Sequence, residues 1–354
     1  MLKEKVLTTT GFYGTGSSAI TDLVREYQNV CCQDDYEIRF LYDPDCISDL
    51  EYNLIENPNR HNTGHAIKRF KKQMSMLDHV WCFNRYSKYF NGIFKKEIDN
   101  FCDKIIITSY QSSWHYDVYE RGKLFYVVSR FYSNINKFLH KFLGVPLDGR
   151  GLVPKDELSY IATYDENTFL SAVKSLTEKI IHSKNNDDKE FVLLDQLVPP
   201  SNISRYSRYV DNLKVIVVDR DPRDIYLLEK ELWRGTIVPT DNVKTFCQWY
   251  KWTRELYYKD ERPSNCMNLQ FEDLIYNYET TVSQIEKFFG LNENDHIDKK
   301  KIFNPAVSKN NTKLWEIYSG YEDDLKYIER ELPQYCYDFS SLDTCEERKR
   351  NKLF

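Results

Sequence analysis

The sequence predicts an α/β protein with a mostly parallel central sheet that helices cover on both faces. Short apolar runs of β-branched and aromatic residues alternate with longer segments of helical period, which is the pattern of parallel sheets. The first apolar run, residues 6–10, leads into a glycine-rich loop and then a helical segment. This order of strand, glycine loop and helix predicts a P-loop-like three-layer core with a helical insertion.

The other elements follow from their period and their polar boundaries. Residues 215–218 (VIVV) form the clearest buried strand, and 35–41 is a short strand or the loop around one. Further strands are expected at 104–108, 191–194 and 267–271. Helices are expected at 19–27, 65–76, 86–103, 124–143, 166–182, 245–259 and 280–289.

The chain is interpreted as a single domain, 1–354, because no linker or internal repeat divides it. Residues 43–184 contain much helix and little strand, and a polar run (SKNNDDKE) follows at 183–190. We therefore expect a core formed by about 1–42 and 185–345, with a helical insertion at about 43–184 between its first and later strands.

Composition narrows the class of protein. The net charge of −5 offers no overall field for nucleic acid, so no nucleic-acid partner is expected. The nine cysteines show no C-x-x-C pair or zinc spacing, which predicts reduced thiols and no metal site. No apolar run approaches the ~20 residues that span a bilayer, and no signal peptide precedes the first strand. A soluble, cytoplasmic protein without a transmembrane segment is expected.

The glycine loop, residues 11–18 (GFYGTGSS), predicts an anion site. Three glycines let the backbone point successive N–H groups into one concavity, and the following helix adds its partial positive charge. The spacing matches the phosphate loop of nucleotide hydrolases and kinases, except that Ser17 stands where their lysine belongs. The loop is therefore expected to bind an anionic nucleotide used differently from ATP.

A second motif follows the VIVV strand, where residues 219–224 read DRDPRD. Pro222 suits the first turn of a helix, so Arg220 is expected at the carboxyl edge of the sheet, where open α/β folds bind ligands. An arginine there suits a phosphate. The alternative is a structural Arg–Asp network around the start of the helix.

Together these motifs resemble the sulfotransferases that use 3′-phosphoadenosine 5′-phosphosulfate (PAPS). Residues 14–18 (GTGSS) resemble the loop that holds the 5′-phosphosulfate, and 220–224 (RDPRD) resemble the strand end that holds the 3′-phosphate. Two later segments also resemble the family: LQFEDL with QIEKFFGL at 269–291, and SKNNTKLW at 308–315, a basic loop that closes over the 3′-phosphate.

The resemblance implies transfer of a sulfuryl group from PAPS, leaving PAP, to a hydroxyl or amine of a carbohydrate or glycolipid acceptor. The 27 tyrosines also suit a sugar, although overall composition is the favoured explanation for their number. Peripheral association with a polysaccharide assembly complex is a further expectation. The residues implied to bind PAPS are Gly14, Thr15, Gly16, Ser17, Ser18, Arg220, Arg223, Lys309 and Asn310.

The chain departs from the family at two positions. Many members carry Lys or Arg where this chain has Gly14, and a serine where it has Leu228. Either Arg223, Lys309 or Arg39 supplies the lost contacts, or the activity is altered.

Sulfuryl transfer also requires a base for the acceptor proton. Glu37 is the first candidate, because related enzymes carry their base in a similar setting after the first helix, and Asp35 is the second. His61 and His65 are further candidates, although their interpretation as exposed polar residues at a helix start is favoured over catalysis. Asp195, which follows the 191–194 strand, either orients the acceptor or caps the next segment.

Two other functions remain open from the residues. A P-loop kinase or NTPase would use Asp195 or Asp219, each at a strand end, as its magnesium ligand, but Ser17 removes its lysine. A non-catalytic nucleotide-binding module in polysaccharide assembly would explain the missing cation at Gly14.

Overall fold

The computed structural model describes residues 4–32, 37–78, 85–112, 115–147, 157–259 and 263–340. Its centre is a five-stranded sheet whose strands lie in the spatial order 30–31, 191–193, 5–11, 213–219 and 266–270, and every neighbouring pair is parallel. Helices cover both faces, so the predicted α/β class with a central parallel sheet is confirmed. The strands are β1 Lys5–Gly11, β2 Val30–Cys31, β3 Ile106–Ser112, β4 Glu157–Ala162, β5 Phe191–Leu193, β6 Leu213–Asp219 and β7 Cys266–Gln270.

The sheet separates two apolar cores, which makes the fold three-layered. Alternate residues of a strand point to opposite faces. On β1 and β6, Val6 and Val215 join one core, whereas Leu7 and Ile216 join the other. Because both faces are buried, the strands are continuous apolar runs, and this is why the periodicity of 215–218 predicted a parallel strand.

The helices have the following bounds: α1 Ser17–Val24, α2 Ile47–Glu51, α3 Arg60–Asp78, α4 Arg85–Tyr89, α5 Phe94–Ile105, α6 His115–Glu120, α7 Gly122–Leu143, α8 Glu166–Lys184, α9 Ile203–Ser207, α10 Pro222–Leu227, α11 Val243–Tyr258, α12 Phe271–Tyr276, α13 Tyr278–Phe289, α14 Pro305–Ser308 and α15 Glu322–Glu331. Two π-helical turns extend α2 and α10, at Tyr52–Glu56 and Leu228–Trp233. Within the described ranges, no helix combines the length and apolarity that a membrane crossing requires.

The segment expected to be an insertion is mainly helical, with two differences from expectation. The strand expected at 104–108 is β3, and it pairs with β4 in a separate antiparallel sheet and not in the central one. The helix expected at 86–103 is divided into α4 and α5, because Asn91 and Gly92 adopt positive φ between them. Helices of this segment share the apolar core of the central sheet through residues such as Phe70 and Phe169. The domain boundaries stay a prediction.

Candidate functional site

The glycine loop turns sharply between β1 and α1. Gly14 and Gly16 adopt φ of 69° and 83°, and Tyr13 adopts 79°. A Cβ on Gly16 would approach the Phe271 ring to 2.6 Å, so both the backbone conformation and the neighbouring ring require glycine there. Gly16 is also the N-cap of α1, with no side chain over the helix N-terminus. The loop therefore leaves its N–H groups available to an anion.

The hydroxyl groups of the loop are held by specific partners. Thr15 is buried beneath the loop, where its Oγ1 occupies the place that a Cβ on Gly11 would need. The side-chain NH2 group of Gln196 donates to Ser17 Oγ at 2.8 Å, and the Thr10 hydroxyl donates to the side-chain carbonyl oxygen of Gln196 at 3.1 Å. Because Ser17 accepts this bond, its own hydroxyl proton remains available to a bound anion.

The loop forms one wall of an open cleft of about 580 Å³. Glu37, Arg39, Tyr42, Asp195 and Gln196 also line this cleft. Three large aromatic side chains, Tyr13, Trp233 and Trp252, also line the cleft and are 41%, 45% and 58% exposed. Sequence reasoning missed Trp233 and Trp252, since nothing in their local pattern relates them to the loop.

Glu37 lies in the cleft wall beside Arg39. The Arg39 guanidinium is 3.4 Å from the Glu37 carboxylate and 3.0 Å from that of Asp43. The segment is fixed to the sheet because Ile38 N–H donates to the carbonyl of Asp195 at 2.8 Å. Glu37 and Arg39 remain about half exposed, so both can contact a molecule that enters the cleft. Asp35 lies outside the described residues.

Asp195 is a buried carboxyl that lines the cleft. The Thr9 hydroxyl donates to it at 2.7 Å, and Thr9 is in turn 2.7 Å from the Thr21 hydroxyl. Burial raises the pKa of Asp195 to about 6, and the charge of Glu37 acts in the same direction. The group therefore titrates close to neutral pH, which is a property of acid–base groups in active sites.

Arg220 lies at the carboxyl end of β6, directly against the glycine loop. Its guanidinium donates to the carbonyl of Gly14 at 3.2 Å and to the carbonyl of Asn311, and it stacks on Phe271. Only 3% of the residue is exposed, and its Nε has no partner among the described residues. The structure thus brings together the two motifs that the sequence singled out.

A fully buried acidic cluster surrounds Arg220. Asp224 accepts the N–H groups of Lys313 and Leu314 at 3.0 and 2.7 Å, which ties the 308–315 segment to α10. Glu272 accepts the N–H of Asp221 at 3.0 Å. Burial and the neighbouring carboxylates raise the pKa of both Asp224 and Glu272.

Lys309 and Asn310 belong to the segment that borders Arg220. They lie in the same short 3-10 turn as Asn311, the acceptor of the Arg220 hydrogen bond. Both are half-buried and have contacts of their own. Their role in binding a nucleotide stays a prediction.

Arg223 occupies a structural network. Its guanidinium bonds to Asp221 at 2.6 Å and to Glu329 at 2.8 Å, and it stacks on Trp315 at 4.3 Å. Binding of a nucleotide by Arg223 would require these bonds to rearrange.

His61 and His65 are not brought into the cleft. They lie on α3 and line a separate small cavity with Tyr160 of β4 and Tyr110 of β3. Asp219, an alternative metal ligand from sequence, forms an ion pair with buried Arg254 at 2.5 Å. No group of three or more metal-ligating side chains occurs among the described residues.

Comparison with known proteins gives a limited result. The sequence matches no family model, and no curated protein matches it in sequence. Its fold can be superposed on the crystal structure of the sulfotransferase STF1 from Mycobacterium tuberculosis H37Rv, with 10% identity and a TM-score of 0.34. This superposition covers 93% of the present chain and 76% of STF1.

Proposed function

We propose that this protein is a PAPS-dependent sulfotransferase whose acceptor is a hydroxyl or amine of a carbohydrate or glycolipid. The observation that carries the proposal is the contact between Arg220 and the carbonyl of Gly14. That contact joins two anion-binding elements, the glycine loop and the strand-end arginine, at one edge of the sheet. A nucleotide with phosphate groups at both its 5′ and 3′ positions requires two such elements.

The reaction would occur in the part of the cleft that the glycine loop lines. The acceptor oxygen forms a bond to sulfur, the bond between sulfur and the bridging phosphate oxygen breaks, and PAP leaves. Glu37 would accept the acceptor proton, because it is an exposed carboxylate in the cleft wall. The loop N–H groups and the hydroxyls of Ser17 and Ser18 would hold the phosphosulfate.

Arg39 is the residue that would replace the cation missing at Gly14. It is the one Lys or Arg among the described residues lining the cleft. Its bonds to Glu37 and Asp43 leave it about half exposed, so its guanidinium can turn toward an anion on the loop. Arg39, instead of a cation in the loop, would then stabilise the charge that develops on the leaving phosphate.

The aromatic lining supports a sugar-containing acceptor. Tyr13 and Trp233 pack edge to face with ring centroids 6.4 Å apart, and Trp252 is exposed in the same cleft. Broad apolar faces with a polar edge suit sugar rings, which carry both C–H and O–H groups.

A thermal-shift panel of PAP, PAPS, ADP and ATP with magnesium tests the proposal. A ligand at 100 times its Kd adds about 2.7 kcal/mol of stability, and we expect this only for PAP and PAPS. Sulfate transfer from PAPS to sugar acceptors, measured by PAP release, completes the test. Binding of PAP without turnover identifies a binding module instead, and magnesium-dependent ATP turnover identifies a kinase.

A further inference from the structure

Helix α7 presents its apolar side outward, which is the reverse of an ordinary surface helix. Leu124, Phe131 and Phe142 are 80%, 68% and 62% exposed. The inward side carries Ser129 and Ser133, which are buried. The exposed apolar residues of the helix are Leu124, Val127, Val128, Phe131, Ile135, Phe138, Phe142 and Leu143. None of them belongs to a described apolar core.

The spacing of these residues produces a continuous stripe. Intervals of three and four residues place 124, 127, 128, 131, 135, 138 and 142 on one face over the whole helix. Phe138 and Phe142 pack together with ring centroids 4.6 Å apart. A stripe of this size on an exposed helix indicates an interaction surface.

The charges of α7 identify the kind of partner. The helix contains no Asp or Glu, although the whole chain has a net charge of −5. Its cations follow one another at intervals of seven and four, so that they line a single flank of the stripe; they are Lys123, Arg130, Lys137 and Lys141. None of the four is paired with a carboxylate in the described part of the chain.

We propose that α7 is an interfacial helix that binds the protein to an anionic lipid surface. Its apolar stripe would enter the boundary between headgroups and acyl chains, while the lysines and the arginine extend to the lipid phosphates and carboxylates. A second copy of the chain is a poorer partner, because its own α7 has no acidic side chain to meet this cationic flank. The inference rests on α7 alone and is independent of the proposed reaction.

Vesicle co-sedimentation tests the proposal with the full-length chain. We expect binding to phosphatidylcholine vesicles that contain about 30 mol% phosphatidylserine, and little binding to phosphatidylcholine alone. Raising NaCl from about 0.1 M to about 0.5 M should release the protein, since screening weakens attraction to the anionic surface.

Two double variants of exposed residues test the apolar stripe and the cationic flank separately. Phe131→Glu with Phe138→Glu should abolish binding. Lys137→Gln with Lys141→Gln should lower the partition coefficient by about thirtyfold, from about 1 kcal/mol per basic residue. Lys95→Gln with Lys301→Gln is the control, because it removes two exposed lysines elsewhere and should leave binding unchanged.

Three outcomes would overturn the proposal. The first is no binding to anionic vesicles, and the second is equal binding by wild type and the Phe131→Glu, Phe138→Glu variant. The third is a dimer in sedimentation velocity that this variant dissociates, without vesicle binding, which assigns the stripe to a second copy. Circular dichroism of each variant confirms that it is folded.

Discussion

Arg220 and Arg39 both belong to the candidate site, but the protein holds them in different ways. Arg220 is 3% exposed, and its bonds go to backbone carbonyls of two distant segments. Arg39 is about half exposed, and its bonds go to neighbouring carboxylates that water can replace. The comparison indicates that one end of the site is part of the folded framework, whereas the other can adjust to what enters the cleft.

The largest expected effect concerns the more exposed end of the site, at Glu37 and Arg39. Glu37→Gln should lower sulfate transfer by about 10²–10⁴-fold with PAP binding intact, because the general base is removed without changing the shape of the cleft. Steady-state turnover and PAP titration measure the two quantities. Glu190→Gln is the control, since Glu190 is a similarly exposed carboxylate paired with a lysine on another surface. Near-normal turnover in Glu37→Gln would assign the base to another residue, with Asp195 tested next.

At the buried end of the site, a change at Arg220 should alter the affinity for PAP. Arg220→Ala should weaken PAP by about ten- to hundredfold, from the loss of an ionic contact of about 1.5–3 kcal/mol. It should also lower the melting temperature, because Gly14 and Asn311 lose a shared donor. Calorimetric titration of PAP provides the measurement, and Arg330→Ala, which removes an exposed arginine, provides the control. Unchanged PAP affinity in folded Arg220→Ala protein would rule this role out.

Asp195, whose backbone carbonyl accepts the N–H of Ile38, should make the stability of the protein depend on pH. Its folded pKa of about 6 lies above the value of ~3.9 for an unfolded chain, so the folded state binds more protons between these pH values. Stability of the wild type should therefore fall, relative to Asp195→Asn, as pH rises from about 4 to about 7. The difference is at most about 2–3 kcal/mol.

Urea unfolding of both proteins at the two pH values measures this change. Asp211→Asn, at a partly exposed carboxylate paired with Lys174, is the control. An equal difference between Asp195→Asn and wild type at both values would mean that folding leaves the pKa of Asp195 unchanged. Glu37→Gln should make the pH dependence smaller, because Glu37 contributes to raising the pKa of Asp195.

The smallest effect concerns the loop itself. Gly14→Lys should cost about 1–2 kcal/mol of stability, because a side chain disfavours the φ of 69° at this position, while space for a Cβ exists. Gly122→Lys is the matched control, with φ of 86° and open surroundings. Only Gly14→Lys should tighten PAP, by about tenfold, from one charge-assisted contact. If both variants bind PAP like the wild type, Gly14 is not the place of the missing cation.

The parts of the fold that the sequence predicted are those with strong local patterns. Residues 215–218 form a strand because an apolar run of this length suits a sheet buried on both faces. The two-residue strand Val30–Cys31 was missed, since it is too short to have a period. The pairing of β3 with β4 was also missed, because register between distant segments has no local sign.

In the candidate site, too, features with a local sequence pattern were predicted, and features that depend on tertiary packing were not. The proximity of Arg220 to the glycine loop followed from both motifs standing at strand ends, since parallel strands have their carboxyl ends at one edge. The contribution of Trp252 could not be foreseen, because it comes from the middle of a helix whose orientation is set by packing. The engagement of Arg223 by Glu329 likewise depends on where α15 packs.

The strand order has a consequence for how the protein folds. β1 lies between β5 and β6, so its first neighbours arrive only after the chain has closed a loop from residue 11 to residue 191. Contacts between residues so far apart in the sequence slow folding, because the chain loses entropy in closing the loop before the contacts form. During synthesis the glycine loop therefore emerges long before the strands that shape it, and the candidate site is expected to form late in folding.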